Sequence, residues 1–369
     1  MRIYQAPNIT PQNRVKNQAP ATEAKSQFIG KIVGVNTTTE NRLIQTNKAC
    51  PLAAQKTEGL QTALAKKNSV SPPVKAYIYA TFFNKDMITQ AIEINASRVL
   101  QGKEPYPILS SDSQKLMETG LASYIESNRD AFKRVESLST KVDKYLNKTS
   151  IEALHKKAPV KIKVLGALLA LRKTPIISLD KANPKILEKI YIVGHGFAGS
   201  NMIAATPDGS KSVKTSEMVV SEIKQLINSI PDKKIDIRMM QCESADRETA
   251  MTMNKAALAE NAQSKEGAQP LARYMADALS RQGIQATVQG YHGLGVSWAY
   301  QNLHQTRALA SDYDTDNYKF TPYRASEYRR AFSSELKPSE PAKAENRSNS
   351  AINTQVENNV RSADVSSTD

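Results

Sequence analysis

The segment from 189 to 242 restricts the fold more than any other. KIYIV at 189–193 is a short apolar run, TSEMVVSEIKQLINSI at 215–230 has helical spacing, and IDIRMM at 235–240 is a second apolar run. Strand, helix, strand with a helix of this length is a βαβ unit, for which parallel strands and a right-handed crossover are the rule. Each strand ends on a reactive side chain: His195 between two glycines in VGHGFAG, and Cys242 in MMQC. Functional groups in open parallel sheets gather just beyond the carboxyl ends of the strands. One crossover should therefore bring His195 and Cys242 side by side above the sheet.

Other segments extend the pattern. VKIKVLGALLAL at 160–171, TPIISL at 174–179 and IQATVQGYHGLGV at 284–296 read as strands, and AQPLARYMADALSRQG at 268–283 as a helix. Residues 151–335 are thus expected to form an α/β domain, a mainly parallel twisted sheet flanked by helices. Residues 76–150 read as a separate helical region. There NKDMITQAIEINASRVLQG sets Met87, Ile88, Ala91, Ile92, Ile94, Val99 and Leu100 largely on one side, with Gly102 as the C-cap, and the next helical stretch opens on the capping residues of SSDS. Residues 1–75 are rich in Asn, Gln, Thr and Pro, and 336–369 are polar with few large apolar residues. Both are expected to be disordered, as an arm and a tail.

The formal net charge of +14 calls for a polyanionic partner: nucleic acid, an anionic membrane or a small polyphosphate. Aromatic residues make up 6% with one Trp, and no RNP-like or helix-turn-helix pattern is present, so nucleic acid is not the expected partner. No apolar run approaches the 18 or so residues of a transmembrane helix. The N-terminus MRIYQAPNITPQNRVKNQAP has no apolar core or small-residue cleavage site of a secretory signal. Its polar, acid-poor character fits a substrate of a dedicated secretion machine, and such an arm is where a secretion chaperone would bind.

The two cysteines, Cys50 and Cys242, cannot build a disulfide framework, and neither has metal-ligand spacing around it. A reducing working compartment and no metal are the expectation. A thiol beside an imidazole has the ingredients of a nucleophile. Gly196, lacking a Cβ, would let a backbone N–H face a reacting carbonyl and form an oxyanion hole with the Cys242 N–H, each donor contributing roughly 3 kcal/mol. A third, orienting carboxylate is not fixed by the sequence; Asp180 and Asp236 are the candidates, and a dyad can suffice. Cys50 reads as an ordinary thiol, His155 as solvent-facing, and His292 and His304 as packing or hydrogen-bonding residues. GYHGLG lacks the context of a dinucleotide-binding turn, and Ser200 has no nucleophile-elbow signature.

A strand ending in His-Gly followed by a second ending in Cys resembles the caspase-like clan of cysteine peptidases, and the interval from 195 to 242 is near the spacing of about 50 residues between His and Cys in caspases. In order and length, KIYIVGHGFAGSNMIA followed by TSEMVVSEIKQLINSIPDKKIDIRMMQC is similar to the inositol hexakisphosphate-activated cysteine protease domains of large bacterial toxins, and to the OspB-type type III secreted effectors, over about 150–330. This resemblance implies a cysteine endopeptidase delivered into host cytosol, acting on a host protein through Cys242 and His195. It also implies inositol hexakisphosphate as an activator, held by scattered Lys and Arg, that rearranges a β-hairpin. Lys189 matches a basic position of the toxin domains, and Arg307 and Lys319 fall in the region matching their hairpin and following strand. Between 151 and 200, nine Lys and Arg face three acids, Glu152, Asp180 and Glu188, a balance suited to charge-assisted phosphate contacts. A different class of function is a basic α/β module docking on anionic membrane or nucleic acid with an inert Cys/His pair. A non-proteolytic acyl transferase using the same dyad is a further alternative.

Overall fold

The computed structural model describes residues 74–145, 151, 153, 157–230, 234–265, 267–296, 304–313 and 320–334. Nearly all of the expected arm, the whole expected tail, and Cys50, His155 and Lys319 lie outside the described residues. The protein is α/β, with a mostly parallel central sheet flanked by helices.

Seven strands form that sheet: β1 (Ala76–Ala80), β2 (Ile108–Ser110), β3 (Ile176–Ser178), β4 (Lys189–Val193), β7 (Ile235–Met239), β8 (Ala286–Tyr291) and β12 (Arg329–Ser333), in the order β12-β8-β7-β4-β1-β2-β3. Every pair is parallel except β12, which runs antiparallel to β8 along one edge. Two smaller sheets lie beside it. A hairpin joins β5 (Met202–Ala204) and β6 (Val213–Thr215), and β9 (Leu294–Val296), β10 (Thr306–Ala308) and β11 (Tyr323–Arg324) form a three-stranded antiparallel sheet.

An interior strand, β1, is AYIYA, buried along its whole length. A strand covered by helices on both faces has no need to alternate apolar with polar residues, which is why β1 carries no half-buried signature. The separate helical region expected over 76–150 is therefore corrected. That stretch supplies β1 and β2, and β1 pairs with β4 on one side and β2 on the other, so residues 76–150 and 151–335 build one sheet.

The helices follow the sequence more closely, with one exception. α1 (Lys85–Leu100) starts at Asn84, whose side chain accepts from the Met87 N–H, and ends ahead of Gly102 at φ 71°. α2 (Ala122–Tyr145) continues from a π-helical turn at Leu116–Leu121. α3 (Pro159–Lys173) contains the VKIKVLGALLAL run expected as a strand. The alternation of VKIKV resembles a strand, but the Leu/Ala-rich remainder favours helix, Pro159 is suited to a first helical turn, and Arg172 and Lys173 suit the last. The sheet gains this run as a covering helix: α3 packs on α1 and α2. α4 (Ser216–Asn228) is the crossover between β4 and β7. A short α5 (Lys255–Asn261) and then α6 (Leu271–Arg281) lead into β8, and α6 packs against α4.

Strand order dictates where the site falls. From β1 the chain winds outward through β2 to β3, then returns to β4 on the other side of β1 and winds the opposite way through β7 to β8. With right-handed crossovers, this reversal puts α1 and α3 on one face and α4 and α6 on the other. The crevice beyond the carboxyl ends of β1 and β4 is the switch point where such sheets bind ligands. Among the described residues, no helix is long and apolar enough to cross a membrane.

Candidate active site

His195 follows β4 by two residues and is bridged to the β5 hairpin: its N–H donates to the Ala204 carbonyl at 3.0 Å and its carbonyl accepts from the Ala204 N–H at 2.8 Å. The ring is buried, with 3% of the residue exposed. Its Nε2 lies 3.5 Å from an Asp86 carboxylate oxygen and 3.5 Å from the Gln90 amide nitrogen. Gln90 also accepts the Gly194 N–H at 3.0 Å, so one turn of α1 grips both the ring and the backbone before it. Asp86 belongs to the first turn of α1, where the helix dipole favours a carboxylate. The end of β1 is tied to β4 by Thr81, whose hydroxyl donates to the Val193 carbonyl at 2.7 Å. The π-helical turn buttresses the same corner, its Thr119 hydroxyl donating to the Phe83 carbonyl.

The carboxylate that stands against the His195 ring is Asp86, and neither sequence candidate lies there. Asp180 is exposed in a 3₁₀ turn after β3, where a hydrogen bond from Ser178 first of all lowers its carboxyl pKa. Asp236 is on β7 and is engaged by Arg238 at 3.0 Å. The signal missed was β1 itself: had AYIYA been read as a strand, the first acid of the helix after it would have been a candidate.

Cys242 follows β7 by three residues. Registry holds the two strand ends together, with Ile192 opposite Met239, the Met240 N–H donating to the Ile192 carbonyl at 3.0 Å, and the Gln241 amide reaching the same carbonyl at 3.2 Å. The two loops also touch. A Cβ on Gly196 would stand 2.6 Å from the Gln241 Cβ and 3.1 Å from the Cys242 carbonyl oxygen, so only glycine fits there. Neither the Gly196 nor the Cys242 N–H donates to another backbone carbonyl among the described residues.

The sulfur has a built surrounding. The Gly295 N–H, from β9, donates to Cys242 Sγ at 3.3 Å. Burial pushes the thiol pKa up, and the Arg307 guanidinium and the Gly295 N–H oppose that rise. Directly after the cysteine, Glu243 adopts φ 52°, an uncommon conformation for a residue with a side chain, and its N–H donates to the Gly293 carbonyl at 2.8 Å. Its carboxyl is 2% exposed, and burial, then the Asp246 charge, raise its pKa to about 7. Asp246 is itself buried, accepting from the Gly293 N–H at 2.8 Å and meeting His292 Nδ1 at 2.6 Å. His292 is therefore a buried hydrogen-bonding residue that ties the turn between β8 and β9 to the cysteine loop.

Of the basic residues singled out from sequence, Arg307 is not at the surface. It is 1% exposed, its guanidinium donating to the carbonyls of Gln241 at 3.1 Å, Gly293 at 3.4 Å and Met240 at 3.4 Å. A residue so enclosed does not serve as a phosphate ligand, and that expectation is corrected. Lys189 begins β4, at the opposite end of the strand from His195, with its ammonium 4.0 Å from Asp236. Burial first, then the Arg238 charge, lower its pKa.

The basic cleft of the protein has other walls. On the sheet face that carries Tyr191 and Arg238, a cavity of about 190 Å³ is lined by Arg98 of α1, Arg238 of β7, Arg324 of β11 and Arg329 of β12, with His304 beside them. No acidic side chain lines it among the described residues, although Asp236 pairs with Arg238 from outside. The Arg324 Nε is buried with no hydrogen-bond partner among the described residues. Sequence reasoning overlooked these arginines because it sought charge in one contiguous segment, whereas four separate elements converge here. Among the described residues, no cluster of His, Cys, Asp and Glu could hold a metal ion. No protein family matches the chain, and no curated protein matches it.

Proposed function

We propose that this chain is a cysteine endopeptidase of the caspase-like clan, a secreted bacterial effector that works in host cytosol and is activated there by inositol hexakisphosphate. One observation carries the reading. The ends of β4 and β7 are hydrogen-bonded neighbours about 4.8 Å apart, as adjacent strands are, and their loops are in contact through Gly196, with His195 on one and Cys242 on the other.

In this reading the Cys242 sulfur attacks the carbonyl carbon of the scissile peptide, and its proton passes to His195. Asp86 and Gln90 hold the imidazole in place. The N–H groups of Gly196 and Cys242 receive the developing oxyanion. His195 then protonates the leaving amine as the carbon–nitrogen bond breaks, and water hydrolyses the thioester, returning the proton to sulfur. The activator is assigned to the four-arginine cleft, with Lys189 adjoining it. Arginine forks match phosphate oxygens.

The test is to incubate the full chain with host cytosolic extract, with and without inositol hexakisphosphate, and to map new protein N-termini by mass spectrometry. New termini that need the polyphosphate and vanish in Cys242→Ala and His195→Ala support the proposal. Termini that persist in Cys242→Ala, or none in any condition, refute it. An acyl group carried as a thioester on Cys242 and passed to an acceptor group of a substrate, with no peptide cleaved, would favour the acyl transferase. Anion binding with an unreactive Cys242 would favour a docking module.

A further inference from the structure

Arg307 carries a buried charge that no carboxylate pairs with among the described residues. A guanidinium is effectively always protonated, and enclosing it without a counter-charge is strongly unfavourable. Three backbone carbonyls, of Met240, Gln241 and Gly293, and the face of Tyr291 at 4.6 Å from its ring centre satisfy part of it. The Nε has no hydrogen-bond partner among the described residues. The anionic groups within electrostatic reach are few: the Cys242 thiol when ionised foremost, then the Tyr291 phenol when ionised, then Asp246. Tyr291 already meets the guanidinium through its ring face. The Asp246 carboxylate is already committed to His292, the Gly293 N–H and the Asn261 amide.

Two strands bring this charge to the sulfur. Arg307 on β10 pairs in register with Gly295 on β9, and Gly295 is the residue whose N–H donates to Sγ. The space above Gly295 is filled by the guanidinium, 3.3 Å from where a Cβ would stand. The backbone carbonyls that Arg307 binds include those of the two residues before Cys242.

We propose that Arg307 is the counter-charge of the Cys242 thiolate, a positioning residue that fixes the cysteine loop by its carbonyls and balances the negative sulfur. This rests on the reading of Cys242 as the reactive thiol, and it gives the sheet of β9, β10 and β11 a role in the reaction. Among the described residues, the groups that bear on the charge of Cys242 are Arg307 from β10, the Gly295 N–H from β9, and Glu243 beside it in the chain. Glu243 disfavours the thiolate, so among the described residues Arg307 is the charged neighbour that favours it.

The test is alkylation of Cys242 by iodoacetamide between pH 7 and 11 in the full chain, followed by peptide mapping to separate Cys242 from Cys50. It needs no substrate, so it stands apart from whether the chain is a peptidase. Arg307→Gln is expected to shift the midpoint upward by about one pH unit, a roughly tenfold loss of reactivity at neutral pH, and Arg307→Lys to recover most of it. An unchanged midpoint in a folded Arg307→Gln variant overturns the proposal. Should that variant fail to fold, Cys242→Asp is compared with Cys242→Asn in the wild-type background. A permanent carboxylate opposite Arg307 should raise the melting temperature above that of the amide, and equal or lower stability of the Asp variant overturns the proposal.

Discussion

Replacing Glu243 by glutamine probes the interior of the cysteine loop through stability instead of activity. The carboxyl is 2% exposed, and its pKa is raised from 4.5 to about 7, by burial first and the Asp246 charge second. A carboxyl that holds its proton more tightly when folded contributes stability that is fully present below pH 4.5 and is lost as the pH rises through 7. Above that pH the folded protein carries an ionised, poorly solvated group, at a cost of about 3 kcal/mol. Glutamine keeps the shape and an acceptor oxygen but never ionises. Urea unfolding of both proteins at pH 5, 6, 7 and 8 should show the variant gaining on the wild type by about 2.5 kcal/mol across that range, most of it between pH 5 and 7. A difference between the two proteins that stays flat from pH 5 to 8 would refute the reasoning, because it would mean that Glu243 titrates normally in the fold.

Other outcomes are expected from the same geometry. Gly196→Ala forces a Cβ to 2.6 Å from Gln241 and should lower unfolding stability by about 1–3 kcal/mol, read from the urea midpoint, while abolishing any Cys242-dependent cleavage. Asp86→Asn removes the carboxylate 3.5 Å from His195 Nε2, so cleavage should fall by roughly 100-fold or more with little change in melting temperature. A folded Asp86→Asn variant with wild-type rate would show that His195 needs no such support. On the proposed function, inositol hexakisphosphate should raise the wild-type melting temperature, Arg324→Gln in the cleft should remove most of that rise, and 0.5 M salt should weaken it in both proteins; no rise in the wild type would refute the assignment.

The sequence alone carried the βαβ unit and its two reactive ends. Strand runs at 189–193 and 235–239 and a helix at 216–228 follow from local periodicity, and a crossover of that length leaves one topology, so the adjacency of the His195 and Cys242 loops follows from chain order. Periodicity failed where burial removes it. β1 is apolar on both faces and α3 is apolar over most of its surface, so neither shows the contrast between inside and outside that pattern reading depends on. The remaining decisions belong to tertiary structure. Asp86 reaches His195 from 109 residues earlier because β1 is inserted beside β4. The four arginines of the cleft meet from α1, β7, β11 and β12. Arg307, expected from the resemblance to hold inositol phosphate, is folded beneath the cysteine loop. Charge has no periodic signature, and its effect is set by which strands lie next to one another and by how little water lies between them, neither of which is written in the local order of residues.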